Sequence, residues 1–167
     1  MNALVIYESM FGNTRQVAEA IADGLRTTGA GVTATDVADA PRTVPTDVDL
    51  LVVGGPTHAF SMSRTTTRND AVARGADDKD ASFGIREWIT GLPDQPHPHD
   101  FAAFDTRADV PLLPGAASKS LVKAARARGF RSVARESFLV SGYEGPLVDG
   151  ELVRARAWGE GLAPGSA

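Results

Sequence analysis

The segment Glu8-Ser9-Met10-Phe11-Gly12-Asn13-Thr14 stands between a short apolar run, Leu4 to Tyr7, and an amphipathic stretch that begins directly after Thr14. A turn in this position aims successive backbone N–H groups at one point. The N-terminus of the following helix adds partial positive charge there, and both favour a phosphate. Ser9 and Thr14 supply hydroxyls, and Gly12 lets the backbone pass close to a ligand. Two other phosphate loops are excluded by inspection. A Walker A loop needs Lys followed by Ser or Thr where Asn13-Thr14 stands, and a dinucleotide fingerprint needs three spaced glycines where only Gly12 is present. An ordinary strand-to-helix turn with a hydroxyl cap would use the same residues. Two more polar segments follow apolar runs: Gly54-Gly55-Pro56-Thr57-His58-Ala59-Phe60 after Leu50 to Val53, and Asp105-Thr106-Arg107 after Phe101 to Phe104.

The elements that must position these segments alternate along the chain. Leu4 to Tyr7 and Leu50 to Val53 are unbroken apolar runs, which suit strands covered on both faces. Val32 to Val37 alternates and fits an edge strand, and Phe101 to Phe104 and Ser132 to Val140 make five strands. Between them, Val17, Ile21 and Leu25 form one helical stripe, Ile85, Trp88, Ile89 and Leu92 another, Leu121, Val122 and Ala125 a third, and Leu152, Ala155 and Leu162 a fourth. Pro41 and Pro45 leave the second connection with a short helix or none. This order predicts an α/β fold with a doubly wound, five-stranded parallel sheet in the order 2-1-3-4-5, whose ligands sit beyond the carboxyl ends of the strands. One domain over residues 1–163 and a disordered tail over 164–167 are expected. The stretch from Ser61 to Ser82 has few large apolar residues and reads as a long polar loop, with Arg64, Arg68 and Arg74 as solvated charges.

Composition limits the chemistry. The 167 residues include no cysteine, three histidines, and 17 basic against 21 acidic side chains, for a net charge of −4. Disulfides, thiolate-held metal or iron–sulfur clusters and thiol nucleophiles are excluded, so any redox chemistry needs a borrowed cofactor. The charge gives no footprint for nucleic acid, and no apolar run is long enough to span a bilayer. A cytoplasmic protein without nucleic-acid or membrane partners is expected. His97 and His99, among Pro96 and Pro98, lack the support a metal site needs.

With its three loops together, the sequence resembles the flavodoxin family from about Ala3 to Leu162: a Ser-x-x-Gly-Asn-Thr loop after the first strand, a Gly-x-Pro-Thr turn after the third, and a polar loop after the fourth. The resemblance implies bound FMN. Ser9, Met10, Phe11, Gly12, Asn13 and Thr14 would hold the phosphate, and Pro56 and Thr57 would follow the ribityl chain. His58, Ala59 and Phe60 would edge or cover one face of the isoalloxazine, and Asp105, Thr106 and Arg107 would reach its other side or its pyrimidine edge. Two departures stand out: Phe60 is the one aromatic in the third-strand turn, with none between Asp105 and Lys119, and Arg64, Arg68 and Arg107 replace the acidic surround of typical members. Tyr143, after the fifth strand, is placed to border the site. The resemblance implies electron transfer through the flavin to redox partner proteins or a small acceptor. The alternative on the same fold is an NAD(P)H-dependent FMN quinone reductase whose arginine-bearing loop admits the nucleotide. A receiver domain is set aside because Glu8 stands alone where paired acids are needed and Ser141 takes the place of a lysine.

Overall fold

Residues without polar alternation must be covered on both sides, and the two unbroken apolar runs do form the middle of the sheet. In the computed structural model, which describes residues 1–77 and 80–164, β1 (Asn2–Tyr7) lies beside β3 (Leu50–His58), with β2 (Gly31–Asp36) outside β1. On the other side of β3 come β5 (Asp100–Ala108) and then β6 (Arg131–Val140). These five strands are parallel in the order β2-β1-β3-β5-β6. That is the expected 2-1-3-4-5 arrangement with one addition, the two-residue β4 (Ser61–Met62), which turns back antiparallel on the end of β3.

The helical stripes cover both faces. On one, α1 (Asn13–Thr27) and α5 (Glu151–Gly161) bury Val17, Ile21, Leu25 and Ala155 against Val5, Val52, Phe104 and Phe138. Gly24 and Gly159 let these helices touch backbone to backbone, since a Cβ on either would collide with the other helix. On the opposite face, α3 (Ile85–Gly91) and α4 (Ala117–Ala127) bury Ile85, Trp88, Ile89 and Leu121 against Ile6, Leu51, Val53 and Phe101. The proline-bearing connection from 37 to 49 forms no helix. It closes this face with Val37 and Ala40, and Trp88 donates to the Pro41 carbonyl at 2.9 Å. His97 stacks on Phe130 with centroids 3.9 Å apart, and His99 Nδ1 lies 2.6 Å from the Val48 carbonyl, so both imidazoles pack the sheet's lower end.

Two expectations need correction. The stretch from Ser61 to Ser82 is not a long loop: it contains β4 and a further helix, α2 (Thr65–Ala73). Its first turn is fixed where Thr67 Oγ1 accepts the Arg64 N–H at 2.9 Å, and Ala71 packs against Met10 and Ala76. Apolar periodicity misses it because the largest side chain it buries is charged: Arg68 is 1 % exposed, not solvated. Asp78 of this stretch and Gly165, Ser166 and Ala167 of the expected tail lie outside the described residues.

Candidate functional site

The turn between β1 and α1 takes its shape from Gly12 and Ser9. Gly12 caps α1 with φ 90°, a left-handed conformation that suits glycine, and offers no side chain to the helix. Ser9 Oγ instead accepts the N–H groups of Gly12 and Arg15, at 3.1 and 3.2 Å. Among the described residues, the amides of Phe11, Asn13 and Thr14 have no acceptor. The first turn of α1 holds no acidic side chain either. A 15-residue helix therefore presents open N–H groups and an uncompensated positive end to the space beyond the strands.

That space is a narrow cleft of about 80 Å³, walled by the carboxyl ends of β1, β3, β5 and β6. Met10, Phe11, Asn13, Thr14, Pro56, Thr57, His58, Thr106 and Arg107 line it, so nine of the residues singled out in the sequence converge. Hydrogen bonds lock these segments together. Thr14 Oγ1 and Thr106 Oγ1 are 2.8 Å apart, and whichever donates, the other keeps its proton free. Thr57 Oγ1 accepts the Ala117 N–H at 3.0 Å, and Arg107 Nη2 donates to the Leu113 carbonyl at 2.7 Å. Ser9 and Gly12 shape the loop without lining the cleft.

Ala59, Phe60 and Asp105 are placed elsewhere. Ala59 and Phe60 form the left-handed tip of the β3–β4 hairpin, with φ 46° and 68°, and Phe60 is 53 % exposed, outside the lining. Asp105 points beneath the cleft. Its Oδ2 accepts the Ser118 N–H at 2.8 Å in the first turn of α4, and Oδ1 is buried without a hydrogen-bond partner among the described residues. Burial raises its pKa above the usual carboxylate range.

Sequence reasoning placed Tyr143 only near the border, yet it closes the cleft. The Tyr143 ring stacks across from His58, with centroids 6.3 Å apart and planes 24° apart, meets Phe11 edge-on, and carries the Arg74 guanidinium 4.6 Å from its centroid. Asn13 Nδ2 donates to the Glu144 carbonyl at 2.8 Å, latching the Tyr143 loop to the turn after β1. Val140, Gly142 and Ala108 complete the lining. His58 is buried and hydrogen-bonded to Thr67 Oγ1 at 3.1 Å; burial, with the Arg68 charge, lowers its pKa to about 4, so it is neutral at pH 7.

The family model for flavodoxin matches residues 5–75, the part of the chain that holds the turn after β1 and the β3–β4 hairpin. The fold is flavodoxin-like. Solved structures agree on the fold over its whole length. A flavodoxin from the domain Archaea is 20% identical with a TM-score of 0.64, covering 99% of both chains. Oxidised flavodoxin 1 from Bacillus cereus is 17% identical with a TM-score of 0.66, covering 95% of both. A flavodoxin, WrbA-like protein from Agrobacterium tumefaciens is 22% identical with a TM-score of 0.52, covering 99% of this chain and 96% of that one. No curated protein sequence matches.

One feature of this flavodoxin-like chain was hidden in the sequence. Glu8, directly before Ser9, turns its carboxylate away from the cleft into a buried charge cluster. Arg68 Nε donates to the Ala81 carbonyl at 2.7 Å, Nη1 to Ser63 Oγ at 2.9 Å and toward Glu8 at 3.4 Å, and Nη2 to Glu87 at 2.9 Å. Ser63 Oγ lies 2.6 Å from Glu8 Oε2. Gly84 has no Cβ because the Glu8 and Arg68 head groups occupy its place. Desolvation raises the Glu8 pKa above its ordinary value despite these partners. The cluster ties the turn after β1 to α2 and α3, and engages four of the five N–H groups of the guanidinium internally.

Proposed function

We propose that the chain binds FMN in this cleft and passes electrons between redox partners. The observation that carries the reading is the set of open amides at Phe11, Asn13 and Thr14, at the N-terminal end of α1, on residues that line a cleft between four strand ends. These amides, with the free hydroxyl proton of the Thr14–Thr106 pair, match the acceptor oxygens of a phosphate ester. Pro56 and Thr57 form the wall beside it. His58 and Tyr143, facing each other across the mouth, provide flat surfaces for an aromatic ring, and Tyr143 would swing outward to admit one. Bound FMN would supply one- and two-electron chemistry through its isoalloxazine.

The chain's own residues would tune that chemistry. Neutral His58 adds no charge, whereas Arg107 in the wall and Arg74 over Tyr143 set positive charge beside the ring. A positive field favours accepting electrons, so the reduction potential should exceed that of free FMN. The supporting experiment is reductive titration of the reconstituted protein, followed by mixing with an oxidised one-electron protein acceptor. Transfer without consumption of a nicotinamide nucleotide fits a carrier. Steady turnover of NADPH and a quinone by the protein alone would instead mean a reductase. That alternative has lost one of its supports, because Arg68 is buried in an internal cluster and cannot greet a nucleotide phosphate.

A further inference from the structure

A wide hollow lies away from the cleft, between the outer side of α4 and the edge strand β6, with a volume of about 700 Å³. Lys119, Lys123 and Arg126 stand on its helical bank and Arg135 on its strand bank. None of the four forms an ion pair among the described residues. Among the described residues no carboxylate lines the groove, although the chain is acidic overall at −4 and two of its three lysines are here. Val122, Val133 and Ala134 make an apolar floor, and Val133, 45 % exposed, is the extra residue of a bulge in the β5–β6 register. The groove's upper end adjoins the β3–β4 hairpin, where Ser61 Oγ and Ser120 Oγ are 2.8 Å apart.

We infer that this groove docks an extended, acidic segment of a partner protein. The four unpaired cations flank an apolar floor on two sides, which fits a chain whose carboxylates alternate with small apolar side chains. From Lys119 to Arg126 the helical bank is about 10 Å long, the reach of three or four extended residues. Nucleic acid fits worse: among the described residues no aromatic side chain lines the groove for bases to stack on, and the chain's net negative charge opposes a polyanion of that size. The inference concerns a surface outside the cleft and holds with or without a cofactor there.

The test is a 15N-resolved NMR titration of the full chain with a synthetic peptide of alternating glutamate and valine. The groove requires shifts concentrated at 119–126 and 132–135, weakened by raising NaCl from about 0.1 M to about 0.5 M. It also requires at least a tenfold loss of affinity in the Lys119→Glu/Lys123→Glu variant, whose two side chains are exposed. Absence of shifts there, equal shifts with a lysine–valine peptide, or tighter binding of duplex DNA would overturn the inference. So would concentration-dependent self-association that shifts the same residues, since the occupant would then be a second copy of this chain.

Discussion

Glu8 and Ser9 are neighbours in sequence, yet they serve two polar regions built on opposite terms. Glu8 enters a closed cluster in which the Arg68 guanidinium spends its donors on Glu8, Ser63, Ala81 and Glu87. Ser9 shapes an open one, accepting two amides itself while those of Phe11, Asn13 and Thr14 are left without acceptors among the described residues. The difference separates structure from function. A desolvated charge is tolerable only when its partners are internal and complete, whereas N–H groups kept unfilled at a strand-end cleft are of use only to something that arrives there.

The largest effect should come from breaking the closed cluster. Arg68→Met leaves the Glu8 carboxylate buried with one hydroxyl for company, and urea unfolding should show a loss of about 3–5 kcal/mol. Adding Glu8→Gln should recover much of it. A single variant that unfolds at the wild-type midpoint would mean that the ion pair is not formed.

Next comes the pH dependence of His58, which stands between the two regions. Its folded pKa of about 4 lies below the ordinary 6.5, so the unfolded chain binds the proton more readily between those values. Stability should therefore fall as pH drops through that window, by about 3 kcal/mol from this group. His58→Gln should flatten the slope between pH 6.5 and 4, and an unchanged slope would show that His58 is not desolvated.

The open region should respond in binding more than in folding. Thr14→Val should weaken FMN by about 1.5–3 kcal/mol, the worth of a hydrogen bond to a charged group, measured by calorimetry. Unchanged affinity would remove Thr14 from the phosphate site. Smallest is Tyr143→Ala, which should cost about 0.5–1.5 kcal/mol of FMN affinity and leave the bound flavin more fluorescent than in the wild type. Full quenching in that variant would mean that the ring lies elsewhere.

The two regions were not equally legible in the sequence. The open one could be read because its signals are local: Gly12 between hydroxyl residues, placed after an apolar strand and before a helical stripe, already implies the turn and its helix. The sheet order followed from Leu4 to Tyr7 and Leu50 to Val53, whose lack of alternation marks central strands. The closed region left no such trace. Arg68 sits in Thr65–Ala73, where no apolar stripe betrays a helix, and its partners come from positions 8, 63, 81 and 87, a set that only the folded chain assembles. Phe60 and Asp105 show the same limit at finer scale. Each stands beside cleft residues in sequence, but the hairpin tip turns Phe60 to solvent and the first turn of α4 draws Asp105 below the floor.

The most direct measurement is a fluorescence titration of the purified apoprotein with FMN and, separately, with riboflavin, which lacks only the phosphate. Open amides at the N-terminal end of α1 require stoichiometric quenching of FMN at micromolar concentrations and binding of riboflavin weaker by about a hundredfold or more, in keeping with two charge-assisted hydrogen bonds. FMN fluorescence left unchanged, or FMN and riboflavin bound equally well, would contradict a phosphate cradle at Phe11, Asn13 and Thr14.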